Sequence, residues 1–115
     1  MQNKTDAREK EPVEEIIDVV VLGESAHDGK RRPLAKKYHF KVNETICIWD
    51  KPTILGRQIL EQAQLLPPEN YSLREKIHDA PPKLIKLDDI VDLREPGVEK
   101  FRAIRRDQTE GNRHG

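Results

Sequence analysis

The chain has 115 residues, in which 21 Lys plus Arg are balanced by 21 Asp plus Glu, and charged residues make up 37% of the whole. That length holds one small domain at most, and a charged fraction well above the roughly 25% of ordinary globular chains leaves part of it with no core to join. Zero formal net charge argues against a nonspecific nucleic-acid binder, which needs surplus cations to release counterions from phosphates. No apolar run approaches the ~20 residues that span a bilayer, and the N-terminus lacks the apolar stretch and cleavage site of a secretory signal. The single Cys47 has no internal disulfide partner, which fits a reducing compartment. A cytoplasmic protein without membrane or nucleic-acid partners is expected.

Residues 1–15 are dense in charge, from Lys4 to Glu15, with almost nothing apolar. Ordering them would cost entropy with no burial in return, so a disordered arm is expected over 1–35. Within it, the seven residues from Ile16 to Leu22 form a run that is apolar except at Asp18, with Ile16, Ile17, Val19, Val20, Val21 and Leu22 as its apolar members. Five of its seven residues are β-branched, which favours a strand. Gly23, Asp28, Gly29 and Lys30-Arg31-Arg32-Pro33 then set the run apart from the remainder of the chain.

From Lys36 the pattern is regular. Tyr38, Phe40 and Val42 alternate with His39 and Lys41, and Asn43-Glu44 is a tight turn into Thr45-Ile46-Cys47-Ile48-Trp49, which together predict a hairpin. After Pro52, Thr53 is placed to cap a helix in which Leu55, Ile59, Ala63 and Leu66 recur at helical spacing, and Pro67-Pro68 ends it. Tyr71 to Ile77 alternates again, with Leu73 and Ile77 on one face and Arg74 and Lys76 on the other, and Lys83 to Leu87 supplies a short fourth strand. Asp88 to Leu93 reads as a short helical turn capped by an Asp, and Val98 to Ile104 as a last strand with Phe101 inward; Leu55, Ile59 and Phe101 are expected to join helix to sheet. From Arg105 onward nothing is apolar, so 106–115 reads as a flexible tail and 36–105 as the folded domain. So few residues leave no room for an internal active site, which argues against an enzyme.

The order strand, strand, helix, strand, strand, turn, strand resembles the β-grasp fold of ubiquitin, an α+β arrangement with a mixed sheet packed on one helix. The residues Pro52-Thr53-Ile54-Leu55-Gly56-Arg57-Gln58-Ile59-Leu60, Pro67-Pro68, Ile90-Val91-Asp92-Leu93 and Gly97-Val98-Glu99-Lys100-Phe101 resemble one branch of it, the bacterial ubiquitin-like proteins of the multiubiquitin family, here as a single repeat. The resemblance implies a modifier joined to target amines by an isopeptide bond at its C-terminal glycine. It further implies an activating enzyme, a conjugating enzyme and a deconjugating protease as partners, with ATP used by the activating enzyme and no cofactor held by the chain itself. On that analogy Gly115 is the conjugation terminus, and Asn112, Arg113 and His114 are the stretch that enters the enzymes. A carboxylate bound for a narrow site needs an extended chain and an end without a side chain, and ten residues beyond Arg105 reach about 33 Å. The bland alternative is a frayed terminus that happens to end in Gly.

Other residues have simpler readings. Cys47 has no local base or cation to activate it, and His27, His39, His78 and His114 lack metal-site spacing. Asp88, Asp89 and Asp92 lack the glycine and distal Glu of a calcium loop and read as caps. Lys30-Arg31-Arg32 and Arg102, Arg105 and Arg106 read as solvated charge. No catalytic or metal residue is expected.

The run from Ile16 to Leu22 admits two readings. It is either an extra strand of its own domain or a donor strand for the sheet edge of a neighbour, which would build a homo-oligomer with Val19 and Val21 on the buried face. The second is expected because an uncovered β-branched strand invites pairing. A noncatalytic scaffold that assembles through this strand and is never conjugated is the rival to a modifier, and a sulfur carrier is a weaker third.

Overall fold

The computed structural model describes residues 15–24 and 26–106. Of the expected segments, residues 1–14 of the N-terminal arm and 107–115 of the C-terminal tail lie outside them. The hairpin forms as the alternation requires: β2 (Ala35–Val42) pairs antiparallel with β3 (Thr45–Trp49), with Tyr38 opposite Trp49 and Val42 opposite Thr45. Asn43 holds the turn at φ 56°, a left-handed conformation that Asn tolerates better than most residues. Its side chain then acts like one more strand residue. Asn43 Oδ1 accepts from the Ala103 N–H at 3.0 Å and Nδ2 donates to the Ala103 carbonyl at 3.2 Å, which extends the parallel pairing of β2 with the last strand, β8 (Val98–Arg105), beyond Val42 and Phe101.

β5 (Tyr71–Ile77) lies antiparallel to β8, and β6 (Lys83–Ile85) closes the far side against β5. The order across the sheet is therefore β3, β2, β8, β5, β6. A separate two-stranded ribbon forms where β4 (Thr53–Leu55) pairs antiparallel with β7 (Ile90–Asp92). The helix α1 (Gly56–Gln62) follows β4 directly. Gly56 is required there, because a Cβ at that position would lie 2.2 Å from the Lys86 carbonyl oxygen. That close approach lets the Gly56 and Arg57 N–H groups reach the carbonyls of Asp89 and Leu87, satisfying donors that a helix start leaves unpaired. Ile59 and Leu60 from α1, Leu73 from β5 and Phe101 from β8 are fully buried, and the Phe40 and Phe101 rings meet edge to face at 5.5 Å. Ile59 and Phe101 thus hold the core positions expected of them, whereas Leu55 is only half-buried. This is a mixed sheet on one helix, an α+β fold of β-grasp type.

Three local expectations are corrected. Thr53 is not a helix cap but the first residue of β4, and the cap position is Leu55, whose N–H donates to Gln58 Oε1 at 2.9 Å. Ile90–Asp92 is a strand and not a helical turn, because its backbone pairs with β4. Leu66 is exposed and Leu60 takes the core position instead.

The larger correction concerns the N-terminus. β1 (Ile17–Val21) pairs parallel with β2 of its own domain, Ile17 with Ala35 and Val21 with His39. Tyr38 and His39 are bonded to β1 and β3 at once, so β1 occupies the edge of β2 opposite β3. That edge also carries β8 at Val42. β1 and β8 therefore lie end to end along one side of β2. In the expected arm over 1–35 the described residues from Ile17 onward are folded, and the expected donation of the 16–22 strand to a neighbour gives way to pairing in cis. The thirteen residues between Val21 and Ala35 match the dozen or so that a parallel crossover needs. Facing is reversed too: Val20 and Leu22 are buried, while Ile17, Val19 and Val21 are exposed.

This orientation separates two substitutions on one strand. Val20→Asp places a charge in the core and is expected to cost about 2 kcal/mol or more. Val19→Asp, beside Lys37 on the open face, is expected to cost about 1 kcal/mol or less. Chemical denaturation of the two variants measures the difference, and equal costs would place both side chains in the same environment.

Candidate functional site

β8 runs through the centre of the sheet to Arg105. Its end is held where Arg106 Nε donates to the Tyr71 carbonyl at 3.1 Å and the Arg105 guanidinium lies 5.9 Å from the Tyr71 ring centre. Gly115, Asn112, Arg113 and His114, the expected conjugation terminus and its approach, lie outside the described residues.

The 16–22 strand is brought to the opposite end of β8. There Arg32 does what the sequence concealed. It is 3% exposed, and its guanidinium donates to the carbonyls of Leu22 (2.6 Å), Val98 (2.6 Å) and Glu95 (2.7 Å). The Arg32 N–H also donates to the Arg94 carbonyl, and Arg94 Nε returns a bond to the Arg32 carbonyl at 2.8 Å. Burial draws the Arg32 guanidinium below its usual value, with Asp28 opposing that shift. Arg31 pairs with Asp92 at 2.9 Å. A basic run that reads as solvated charge is thus a clamp, and its composition gives no sign of it.

Glu75 is the second residue that reasoning from the sequence passed over. It is 2% exposed, and among the described residues its Oε2 has no hydrogen-bond partner. Burial, then Glu95 and Asp92, raise its carboxyl above the ordinary range, with Lys83 acting the other way. A signal was present: in Tyr71 to Ile77, Glu75 falls on the same alternating phase as Leu73 and Ile77.

The remaining candidates take ordinary places. Cys47 is buried, and burial raises its thiol, which works against a nucleophile. Asp89 Oδ2 accepts from the Lys86 N–H at 2.8 Å and Asp92 Oδ1 from the Arg94 N–H at 2.9 Å, both as turn caps. His78 lies 3.1 Å from Glu99. Among the described residues no group of three or more His, Cys, Asp or Glu side chains has the arrangement to hold a metal, and no helix is long and apolar enough to cross a membrane.

These buried charges support two stability tests. Arg32→Met keeps the apolar stem but leaves three carbonyls without their donor. It is expected to cost about 2 kcal/mol or more and to speed amide exchange in β1 before β5 and β8, as hydrogen exchange will show. For Glu75, the folded protein holds the proton more tightly than the unfolded chain, so stability falls as pH rises through the unfolded glutamate pKa of about 4.3 toward the raised folded value. Glu75→Gln is therefore expected to match wild type near pH 4 and to be the more stable above it. Denaturation over about pH 4 to 8 checks the sign; a wild type favoured at neutral pH would contradict it.

Comparisons with known proteins agree with this architecture. No curated protein and no solved structure matches the chain. The family model described as multiubiquitin matches residues 38–106, from Tyr38 in β2 to the residue after β8, and leaves β1 and Arg32 outside the matched stretch. Matched over more than half its length, the chain belongs to the multiubiquitin family of ubiquitin-like proteins.

Proposed function

We propose that the protein is a ubiquitin-like modifier, conjugated through the carboxyl group of Gly115. The observation that carries this reading is the family match, ending at residue 106 just where β8 delivers the chain out of the sheet. In the proposed sequence the Gly115 carboxylate attacks the α-phosphorus of ATP on a cognate activating enzyme and pyrophosphate leaves. An enzyme cysteine thiolate then displaces AMP to form a thioester. A conjugating enzyme passes the acyl group to an amine of the target, and a deconjugating protease reverses the bond. The chain itself supplies no catalytic group in this scheme, consistent with a buried, raised Cys47 thiol. Whether Gly115 is encoded as the end or exposed by proteolysis, the same carboxyl reacts. The cis pairing of β1 favours the modifier over the rival scaffold reading, which relied on donating that strand to a neighbour.

The test is direct. Incubated with the cognate activating enzyme and ATP, the protein is expected to form an adduct that a thiol reductant cleaves, and deletion of Gly115 is expected to abolish it. An absent adduct, or equal yield from the deletion, would falsify the proposal.

A further inference from the structure

Beside β6 and β7 a recess of about 340 Å³ opens on the surface, and Glu75 lies in its lining with Lys83, Asp92 and Glu95. Apolar wall is supplied by Ile85, which is buried, and by Ile90, which is 74% exposed. Most of the polar groups are already committed. Both Asp92 oxygens are taken, by Arg31 and by the Arg94 N–H, and Asp89, also in the lining, caps the turn at Lys86. Glu75 is the exception, 98% hidden from solvent and with one carboxylate oxygen lacking a partner.

A buried carboxylate without a partner is among the costliest groups a small domain can hold. Here it lies with further carboxylates in a recess with apolar walls, so a ligand that is cationic at its tip and aliphatic along its stem complements it at every point. A metal ion fits poorly, since no three donors converge among the described residues. A guanidinium fork wants two parallel acceptors on one carboxylate, whereas a single unpartnered oxygen, itself sealed from solvent at the base of the recess, suits the point charge of an ammonium. The chain's own Lys83 stands in the lining yet makes no bond to Oε2. We propose that this recess is a docking pocket for a lysine side chain of a partner protein, with the ammonium against Glu75 and Glu95 and the methylenes against Ile85 and Ile90. The proposal does not rest on conjugation at Gly115, and it places a recognition surface on the β6 side of the sheet, where Arg31 and Arg32 hold Asp92 and the Glu95 carbonyl from behind the wall.

The probe is Nα-acetyl-lysine methylamide, titrated into the full chain and followed by amide and carboxyl NMR, beside the norleucine analogue that has a similar stem and no charge. Shifts confined to Glu75, Ile85, Ile90 and Glu95, with the Glu75 carboxyl titrating at lower pH in the presence of the probe, are expected. The lysine probe should bind about tenfold or more tightly than norleucine, and Glu75→Gln should lose that margin. Because Glu75 is a core residue, Glu95→Gln at the half-exposed wall provides a second variant, expected to weaken the lysine probe and not norleucine. Equal response to norleucine would make the recess an apolar groove and overturn the proposal. So would a stronger response to the arginine analogue or to calcium or magnesium alone. A Glu75 carboxyl that already titrates in the ordinary range in the protein alone would mean that Lys83 fills the recess, and would overturn it as well.

Discussion

Three carbonyl oxygens converge on one point of this molecule, from the residue just after β1, the loop before β8 and the first residue of β8, and the Arg32 guanidinium is what allows them to meet. Without a donor between them they would be buried acceptors turned toward one another. A planar fork of five N–H groups reaches three directions at once, which an ammonium on a flexible stem does less well. The reciprocal bonds between the Arg32 and Arg94 segments fix the backbone that carries the fork. This one contact ties the crossover between β1 and β2 back onto its own sheet.

The position of β1 has a consequence for the rest of the sheet. Since β1 and β8 share one edge of β2 end to end, and run parallel to it, β8 moves away from the addition as it proceeds. The chain leaves at Arg105, beside Tyr71, at the end of β8 remote from Arg32. An extra strand placed there enlarges the core by Val20 and Leu22 without obstructing the exit of the tail. The family match begins at residue 38, which fits an addition built onto a complete ubiquitin-like unit.

Where the sequence carried a period, the fold was legible. The alternation of Tyr38, Phe40 and Val42, and of Leu73 against Arg74 and Lys76, corresponds to strands with those faces in and out, because a half-buried strand enforces period two. Three-residue strands have no period to read, so Ile90–Asp92 looked like a turn rich in Asp, and Thr53 like a cap; only their pairing with each other makes them strands. The strand character of Ile16 to Leu22 was clear, but its facing was not, since Ile17, Val19, Val20 and Val21 are apolar on both phases. Its partner was hidden for a different reason. The contact that brings it home is made by an arginine whose neighbours Lys30 and Arg31 are exposed, and three cations in a row carry no mark of which one is buried. At the proposed site, Gly115 was legible only through the resemblance.

Arg32 and Glu75 are the buried charged residues of the described chain, and their contrast separates structure from recognition. Each loses hydration of similar cost on burial. For Arg32 the loss is offset within the fold, by backbone carbonyls in contact distance, and nothing is left to bind. For Glu75 the nearby cation, Lys83, lowers the carboxyl's proton affinity but makes no bond to its buried, unpartnered oxygen, while Glu95 and Asp92 oppose ionisation. An apolar residue of the same length at that position would remove the penalty, as replacement of buried ionic groups by apolar ones often does. A glutamate there makes the free domain less stable near neutral pH and gives the recess an acceptor that only an outside cation completes. That asymmetry, one charge closed and one open, is why a partner's contact belongs at β6 and β7 and not at the clamp.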